Sequence, residues 1–406
     1  MQVTASRIPD ARPALRVVYR HRQAVRAPGD AVAALDRRRI RGPSAAQRGV
    51  TVSRTIGRPR RVHDGLSSLF GVARHVARMP VRGTGDTVAN SGPTLDPDLA
   101  ALLPEKARTF AFAARFLPRD QRNRVVVLYA FCRLMDDLVD EPRPGVGPEA
   151  IRRQLAAWRD WLRAEGAGPT MPEPTPLATS VRTLIEECRL PVAYLLGLLD
   201  ALESDLGPVR MADFGELRRY CFLVAGTVGL AMCHLLGARQ PEALVAAAEL
   251  GIAMQLTNIL RDLGSDLRAG RCYLPADELA AFGYTVERLA ARARDGRRDD
   301  AFRALMRYQI GRARQQYARG LAGVPLLPTE AQPAILIAGR LYRAILDAIE
   351  ASDFDVFQRR AATTGRTKLY EAVSALVCLR FSACRPLTGE LTPRSASLAE
   401  LTAWLG

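Results

Sequence analysis

The chain has 406 residues, 48% of them hydrophobic and 25% charged, a composition typical of a folded globular protein and not of a disordered one. Its net charge of +16 suggests a nucleic-acid-binding protein, but residues 1–95 alone hold 18 Arg, 5 Asp and neither Lys nor Glu. The rest of the chain is nearly balanced in charge, which argues against a nucleic-acid-binding surface on the body of the protein.

The first predicted element is an Arg-rich extension over residues 1–95. It contains the charge runs DRRRIRG and GRPRRV and no sustained apolar period, so we expect it to form no core of its own. A disordered extension, or a start codon placed upstream of a true start at Met79, is one interpretation. An organelle-targeting leader and a polyanion-binding arm are the alternatives.

From about residue 100 the apolar residues recur at helical spacing, and no segment alternates with the period of a strand. Predicted helices end at Pro118 and Pro142, and the Pro- and Gly-rich residues 165–176 form a loop. Further helices are predicted over 177–205, 214–237, 241–268, 285–322, 330–352 and 367–384. The sequence therefore predicts one all-α domain over residues 96–385 and a short C-terminal tail over residues 386–406.

The cysteines and the most apolar segments indicate a reduced protein without a membrane span. The seven cysteines form no CxxC pair and lie mostly in apolar helical runs, so we expect buried thiols. No apolar run reaches the roughly 18 residues that a membrane-spanning helix needs. The closest, residues 222–237, is interrupted by His234 and three glycines, which favours a helix in the core.

A first acidic motif lies in the helix that ends at Pro142. Tyr129, Arg133, Asp136 and Asp140 follow one another at spacings of four, three and four residues and therefore share one helix face. A single DxxxD pattern is expected about once by chance in a chain of this length and composition. Alone, it indicates a solvated helix face on which the carboxylates pair with arginines.

A second stripe of the same kind changes this interpretation. Gln255, Asn258, Asp262 and Asp266 follow at spacings of three, four and four residues, again on one helix face. Amide and carboxylate oxygens are the ligands that Mg²⁺ prefers, together with water and phosphate groups. The pattern predicts a magnesium site on this helix.

Two such stripes that face each other across a helical bundle would repel each other unless divalent cations lay between them. Guanidinium groups bind phosphate oxygens in a bidentate manner, so the adjacent arginines favour a diphosphate ligand. These arginines are Arg133, Arg261, Arg268 and Arg271. Di-iron, zinc, phosphate-loop and Ser/His/Asp sites lack their characteristic residues in this sequence.

With both stripes in place, the chain resembles the squalene/phytoene synthase family, the head-to-head prenyl transferases. The resemblance covers about residues 100–370 and rests on five blocks: ARTFAFAARFLP, LYAFCRLMDDLVDE, YCFLVAGTVGL, QLTNILRDLGSDLRAGRCYLP and AIEASDFDVFQRRA. It implies an isoprenoid (terpenoid) synthase helical bundle with a central apolar cavity, most like a bacterial-type phytoene synthase.

The resemblance also implies roles for individual side chains. Mg²⁺, or Mn²⁺ as an alternative, would be held by Asp136, Asp140, Asn258, Asp262 and Asp266. The catalytic groups would be Asp136, Asp140, Asp262, Asp266, Tyr129 and Arg133, and the substrate contacts Arg108, Thr109, Phe110, Gln255, Arg261, Tyr342 and Arg360. Ala107 departs from the hydroxyl residue that the family often carries there, which removes one hydroxyl contact.

The reaction implied by the resemblance is the condensation of two geranylgeranyl diphosphates, through a cyclopropylcarbinyl diphosphate, to phytoene in carotenoid biosynthesis. The small residues Ala114 and Val126 favour two C20 chains, unless they serve only to pack helices closely. No NADPH is expected. Squalene, dehydrosqualene or presqualene diphosphate formation from farnesyl diphosphate is the alternative reaction, and polyanion binding by residues 1–95 is the non-enzyme alternative.

The resemblance further implies prenyl diphosphate as the small-molecule partner and a membrane surface as a peripheral contact, with no nucleic acid. The last residues, SLAELTAWLG, are too short and too polar to span a membrane. We expect a cytoplasmic enzyme at the membrane surface, with organelle targeting by residues 1–95 as an open alternative.

Overall fold

A computed structural model describes residues 108–140, 144–164, 175–380 and 397–405, together with Pro142 and residues 172–173. The Arg-rich extension predicted over residues 1–95 lies outside the described residues, as do Ala107 and the beginning of the predicted domain. The predicted boundaries at residues 95 and 385 therefore stay predictions.

The described residues form helices and no β-strand, with one isolated bridge between Arg210 and Cys272. The all-α prediction is confirmed. The helices are α1 Arg108–Ala114, α2 Arg119–Asp140, α3 Pro148–Arg163, α4 Thr175–Cys188, α5 Val192–Ser204, α6 Phe214–Cys221, α7 Thr227–Leu236, α8 Pro241–Arg268, α9 Ala276–Ala281, α10 Val286–Asp295, α11 Asp300–Ala322, α12 Gln332–Ala351, α13 Gly365–Arg380 and α14 Leu398–Thr402. A π-helical segment, Phe222–Gly226, joins α6 to α7, and 3₁₀ turns occupy Val324–Leu326 and Ala403–Leu405.

Two predicted helices are each divided into two in the structure. The prediction over 177–205 fails at Arg189, where φ is +49° just before Pro191, so that α4 ends and α5 begins. The prediction over 285–322 fails at Gly296, which ends α10 in a left-handed conformation. The Asp299 side chain then caps α11 by accepting a hydrogen bond from the Phe302 amide. The apolar period continues across both breaks, which explains why the sequence pattern merged the helices.

Helix α8 is the central helix of the bundle. It packs against α7, the π-helical segment, α11 and α12, and most of its apolar side chains are buried. Glycines allow its backbone to approach its neighbours closely. A methyl group on Gly251 would lie 2.2 Å from the carbonyl oxygen of Ala225, and one on Gly229 of α7 would lie 2.2 Å from that of Ala247.

Replacing Gly251 with alanine is expected to lower the free energy of unfolding by about 1–3 kcal/mol, because the new methyl group overlaps a neighbouring backbone. Gly311, in the middle of α11, is the matched control, since a methyl group there meets open space. Gly311→Ala should be neutral or stabilising by up to about 1 kcal/mol. Chemical denaturation measures both variants, and equal stabilities would contradict the close packing of α8 against the π-helical segment.

Two stretches, Phe214–Leu236 and Pro241–Arg268, are long and apolar enough to cross a membrane, so the sequence expectation of no such run was wrong. Both pack inside the bundle, where 56% and 67% of their most apolar windows are buried. The prediction that residues 222–237 belong to the core is confirmed. Core packing therefore accounts for the apolar character of these helices.

The end of the predicted C-terminal tail is helical and packs on the bundle. Ser397 and Glu400 form a reciprocal capping box at the start of α14. Leu401 is fully buried, and the Trp404 ring packs edge-on against Phe222 at a centroid distance of 5.3 Å. The last residues thus support the π-helical segment.

The cysteines differ from the prediction at one position. Cys188, Cys221, Cys233 and Cys272 are free and buried, and Cys132 is free and partly buried, as expected for reduced core thiols. Cys378, which is partly exposed on α13, forms a disulfide whose partner lies outside the described residues. The expectation of reduced, buried thiols was therefore wrong for this residue, because it lies on a surface helix.

Candidate active site

The two acidic stripes face each other across the bundle. Helix α2 carries the stripe that ends at Asp140, and α8 carries the stripe that ends at Asp266. Burial and then the neighbouring Asp140 raise the pKa of Asp136 to about 6. Burial raises the pKa of Asp266 to about 7; Arg271 opposes this shift, whereas Asp262 and Asp140 increase it. Since Asp140 acts on carboxylates of both helices, the helices present their acidic faces to a common space.

Arginines pair with most of these carboxylates. Arg133 donates to Asp136 at 3.0 Å and to Asp137, and Arg271 donates to Asp140 at 2.7 Å. These pairs surround the α2 side of the common space with positive charge. Guanidinium groups in such positions are suited to binding diphosphate oxygens.

Asp262 lies between two arginines from distant parts of the chain. Arg261 donates to it at 3.0 and 2.5 Å, and Arg360, which is 98 residues away, donates at 2.7 and 3.0 Å. Burial acts to raise the pKa of Asp262, but these two arginines bring it below its usual value. Arg268 instead donates to the carbonyl oxygen of Phe357 at 3.0 Å, so it holds a loop rather than the acidic site.

Polar side chains connect the acidic site to a cavity inside the bundle. Tyr129, Gln255, Asn258 and Tyr342 all line this cavity. Burial raises the pKa of Tyr129, while Arg133 lowers it and Tyr342 raises it. The two phenols therefore lie near each other where the acidic site meets the cavity.

The remaining predicted substrate contacts are only partly placed. Arg108, Thr109 and Phe110 are the first residues of α1, which packs against α12. Their side chains are outside the described part of the structure. The roles of these three residues stay predictions.

The described residues contain no group of three or more His, Cys, Asp or Glu side chains positioned closely enough to hold a metal ion. The carboxylates of Asp136, Asp140 and Asp262 form ion pairs with arginine side chains instead. The donors nevertheless fit a hard divalent cation. The Asn258 side-chain oxygen is buried without a hydrogen-bond partner among the described residues, while its amide donates to Gln255 at 3.2 Å. Burial, and to a smaller extent the neighbouring carboxylates, raise the pKa values of Asp136 and Asp266 despite the nearby arginines, and a bound divalent cation would favour their ionised forms.

Replacing Asp266 with asparagine is expected to stabilise the metal-free protein at pH 8 and to leave its stability unchanged near pH 4. A folded-state pKa of about 7, against an ordinary value of 3.8, means that the fold favours the neutral carboxyl. The stability from this group is complete below pH 4 and is lost as the pH rises through 7. Thermal unfolding of both proteins in a chelator measures the difference. A variant that is less stable than the wild type at pH 8 would contradict the raised pKa.

Sequence reasoning missed a second polar cluster beside the acidic site. Asp205, which follows the end of α5, accepts hydrogen bonds from Tyr220 at 2.7 Å and Tyr273 at 3.2 Å. The two rings stack with centroids 4.9 Å apart. Burial raises the pKa of Asp205 to about 6, and this carboxylate acts in turn on Asp266. Both tyrosines lie in conspicuous sequence blocks, but no periodicity connects them to Asp205.

The cavity has a volume of about 330 Å³ and is lined almost entirely by apolar side chains from α2, the π-helical segment, α7, α8 and α12. Ala114 and Val126, the small residues expected to open a tail pocket, are buried but do not line it. Small residues of other elements border the open space instead, in the π-helical segment, α7, α8 and the end of α11. These are Ala225, Gly229, Ala243, Ala246, Ala247, Gly251, Gly320 and Gly323.

Residues 103–367 match the family described as squalene/phytoene synthase. The chain belongs to this family. As a squalene/phytoene synthase it is a prenyl transferase, an enzyme class that processes prenyl diphosphates and generally needs a divalent metal. The predicted family, the helical terpenoid-synthase fold and the enzyme class are confirmed.

Relatives of the bacterial type cover most of the family domain. The chain is 38% identical over 291 residues to the phytoene synthase of Thermus thermophilus, which covers 71% of this chain and 96% of that protein. It is 37% identical to the phytoene synthase of Cereibacter sphaeroides, with coverages of 71% and 79%. A dehydrosqualene synthase crystal structure aligns with a TM-score of 0.62 and 25% identity over 70% of this chain and 96% of that one.

Proposed function

We propose that this squalene/phytoene synthase joins two molecules of geranylgeranyl diphosphate head to head and forms phytoene for carotenoid biosynthesis. Curated phytoene synthases from bacteria, cyanobacteria and plants, 33–38% identical to this chain, support this product. The observation that carries the proposal is the apolar cavity that meets a site of carboxylates and arginines, since the substrate has an apolar tail and a diphosphate head.

The residues of the acidic site bind and orient the diphosphate group. Arg133, Arg271 and Arg360 exchange their carboxylate partners for diphosphate oxygens when substrate enters. Asp136, Asp140, Asn258, Asp262 and Asp266 hold Mg²⁺. When bound, the metal ion supplies Lewis-acid stabilisation of the leaving diphosphate.

The reaction balances as two losses of diphosphate, each accompanied by loss of a proton. The first C20 diphosphate ionises with release of diphosphate, the double bond of the second attacks the cation, and loss of a proton closes the ring of a cyclopropylcarbinyl diphosphate. This intermediate ionises, rearranges and loses a proton to give the C40 product. The apolar walls of the cavity exclude water from both cations, and the Tyr129 and Tyr342 phenols lie where the leaving groups depart.

A second candidate reaction uses two C15 chains. Solved structures of a dehydrosqualene synthase and of a squalene synthase from Alicyclobacillus acidocaldarius, which is 26% identical with a TM-score of 0.54, share the fold. Both proteins are less similar in sequence to this chain than the phytoene synthases are, which favours the C20 reaction. No finding supports the polyanion-binding alternative.

Incubation of the full chain with geranylgeranyl or farnesyl diphosphate and Mg²⁺, with and without NADPH, tests the proposal. A C40 hydrocarbon formed without NADPH is the expected product. Squalene formed only with NADPH, or accumulated presqualene diphosphate, would assign the enzyme to the C15 reaction. No product from either substrate would contradict both candidates.

A further inference from the structure

Helix α13 presents a stripe of apolar side chains to solvent. Tyr370 is 69% exposed, Leu369 50% and Val377 42%, and they account for three of the five large exposed apolar side chains among the described residues. Their spacing places them on one side of the helix. Large apolar side chains grouped in this way indicate an interaction surface.

The opposite side of α13 is fixed to the bundle. Ala372 and Ala375 are buried in a cluster with Ile337 and Leu341 of α12. Another side of α12, including Tyr342, lines the cavity. The core contacts of α13 are thus made by its other side, and the exposed stripe takes no part in them. Helix α13 packs against α12, which forms part of the cavity wall.

The charge around the stripe is positive. The residues of α13 include three basic side chains and one acidic side chain, a net charge of +2. Arg366 and Arg380 are exposed at the two ends of the stripe. Glu371, the one acidic group, lies on a different side, where burial raises the pKa of its carboxyl although Arg340 of α12 opposes the shift. Cations that flank an apolar stripe complement a surface of anionic headgroups over acyl chains.

We propose that the outer face of α13, formed by Arg366, Leu369, Tyr370, Val377 and Arg380, docks on an anionic lipid bilayer. A lipid surface fits better than a folded partner, because three exposed apolar side chains on one helix are far fewer than the roughly 20–30 residues that each side of a stable protein interface contributes. It fits better than nucleic acid, because the centre of the face is apolar. The proposal concerns binding and does not depend on which prenyl chains the enzyme joins.

Sedimentation of the full chain with lipid vesicles, in the absence of substrate, tests the proposal. The protein is expected to bind vesicles containing phosphatidylglycerol more tightly than vesicles of phosphatidylcholine alone. The L369S/Y370S variant should lose roughly tenfold in partitioning, because the apolar contribution to binding is removed. Tyr308→Ser on α11 is the matched control, since Tyr308 is 49% exposed. Equal binding by the wild type and L369S/Y370S would overturn the proposal.

A position-specific measurement separates α13 from the Arg-rich residues 1–95, which carry positive charge of their own. Tyr370→Trp and Tyr308→Trp are compared by fluorescence quenching with brominated acyl chains in anionic vesicles. Stronger quenching at position 370 is expected. Equal quenching at both positions would overturn the proposal. So would shielding of position 370 that depends on protein concentration and not on lipid, because this result would assign the face to another copy of the chain.

Discussion

Replacing Asp136 with asparagine is expected to lower kcat by roughly 10³-fold, because one group that stabilises the developing diphosphate charge is lost. The side chain keeps its size but loses the charge that, in the proposed mechanism, would hold a metal ion. Product formation from prenyl diphosphate at saturating Mg²⁺ measures the effect. A decrease of less than about tenfold would contradict a direct role for Asp136 in diphosphate departure.

The same substitution is expected to leave the folded protein at least as stable as the wild type at neutral pH. The pKa of Asp136 is raised to about 6 by burial and by Asp140, so its ionised form is disfavoured in the fold. An activity loss without a stability loss separates a functional carboxylate from a structural one. Asp200→Asn is the matched control: this carboxylate pairs with Arg159 on the outer surface and should affect neither activity nor stability appreciably.

Replacing Val228 with phenylalanine is expected to lower kcat/KM for the C20 substrate by roughly 10–100-fold and for the C15 substrate much less. Val228 of α7 lines the cavity, and the larger ring occupies volume that the end of a C20 chain requires. Initial rates with geranylgeranyl and farnesyl diphosphate measure this change in preference.

The control for this substitution is Val245→Phe. Val245 is a partly buried residue of α8 that packs against the core but does not line the cavity. The Val245→Phe substitution should change kcat/KM for both substrates equally. An equal loss for both substrates in Val228→Phe as well would show that the cavity does not select chain length.

The acidic stripes could be predicted from sequence because spacings of three and four residues fix a shared face within one helix. In the structure Arg271, just past the end of α8, donates to Asp140 of α2 at 2.7 Å, and this connection between the two stripes could not be established from spacing alone. The pairing of Arg360 with Asp262 spans 98 residues, and only the family resemblance identified Arg360.

Other features depend on tertiary packing and leave no periodic signal. Asp205 meets Tyr220 and Tyr273 only because three separate elements converge. The cavity volume arises from small residues on α7, α8 and α11, whereas Ala114 and Val126 are small and do not line it. The π-helical segment over residues 222–226 depends on backbone hydrogen bonds between residues five apart instead of four, and residue types do not reveal this difference.

The location of bound metal tests the central claim most directly. Crystals of the enzyme with Mn²⁺ and a thio analogue of geranylgeranyl diphosphate that ionises slowly would reveal manganese by anomalous scattering. We expect manganese ions within about 2.5 Å of carboxylate oxygens from both α2 and α8, with the diphosphate between the helices. Manganese bound to one helix alone, or diphosphate bound by arginines without metal, would contradict a shared metal site.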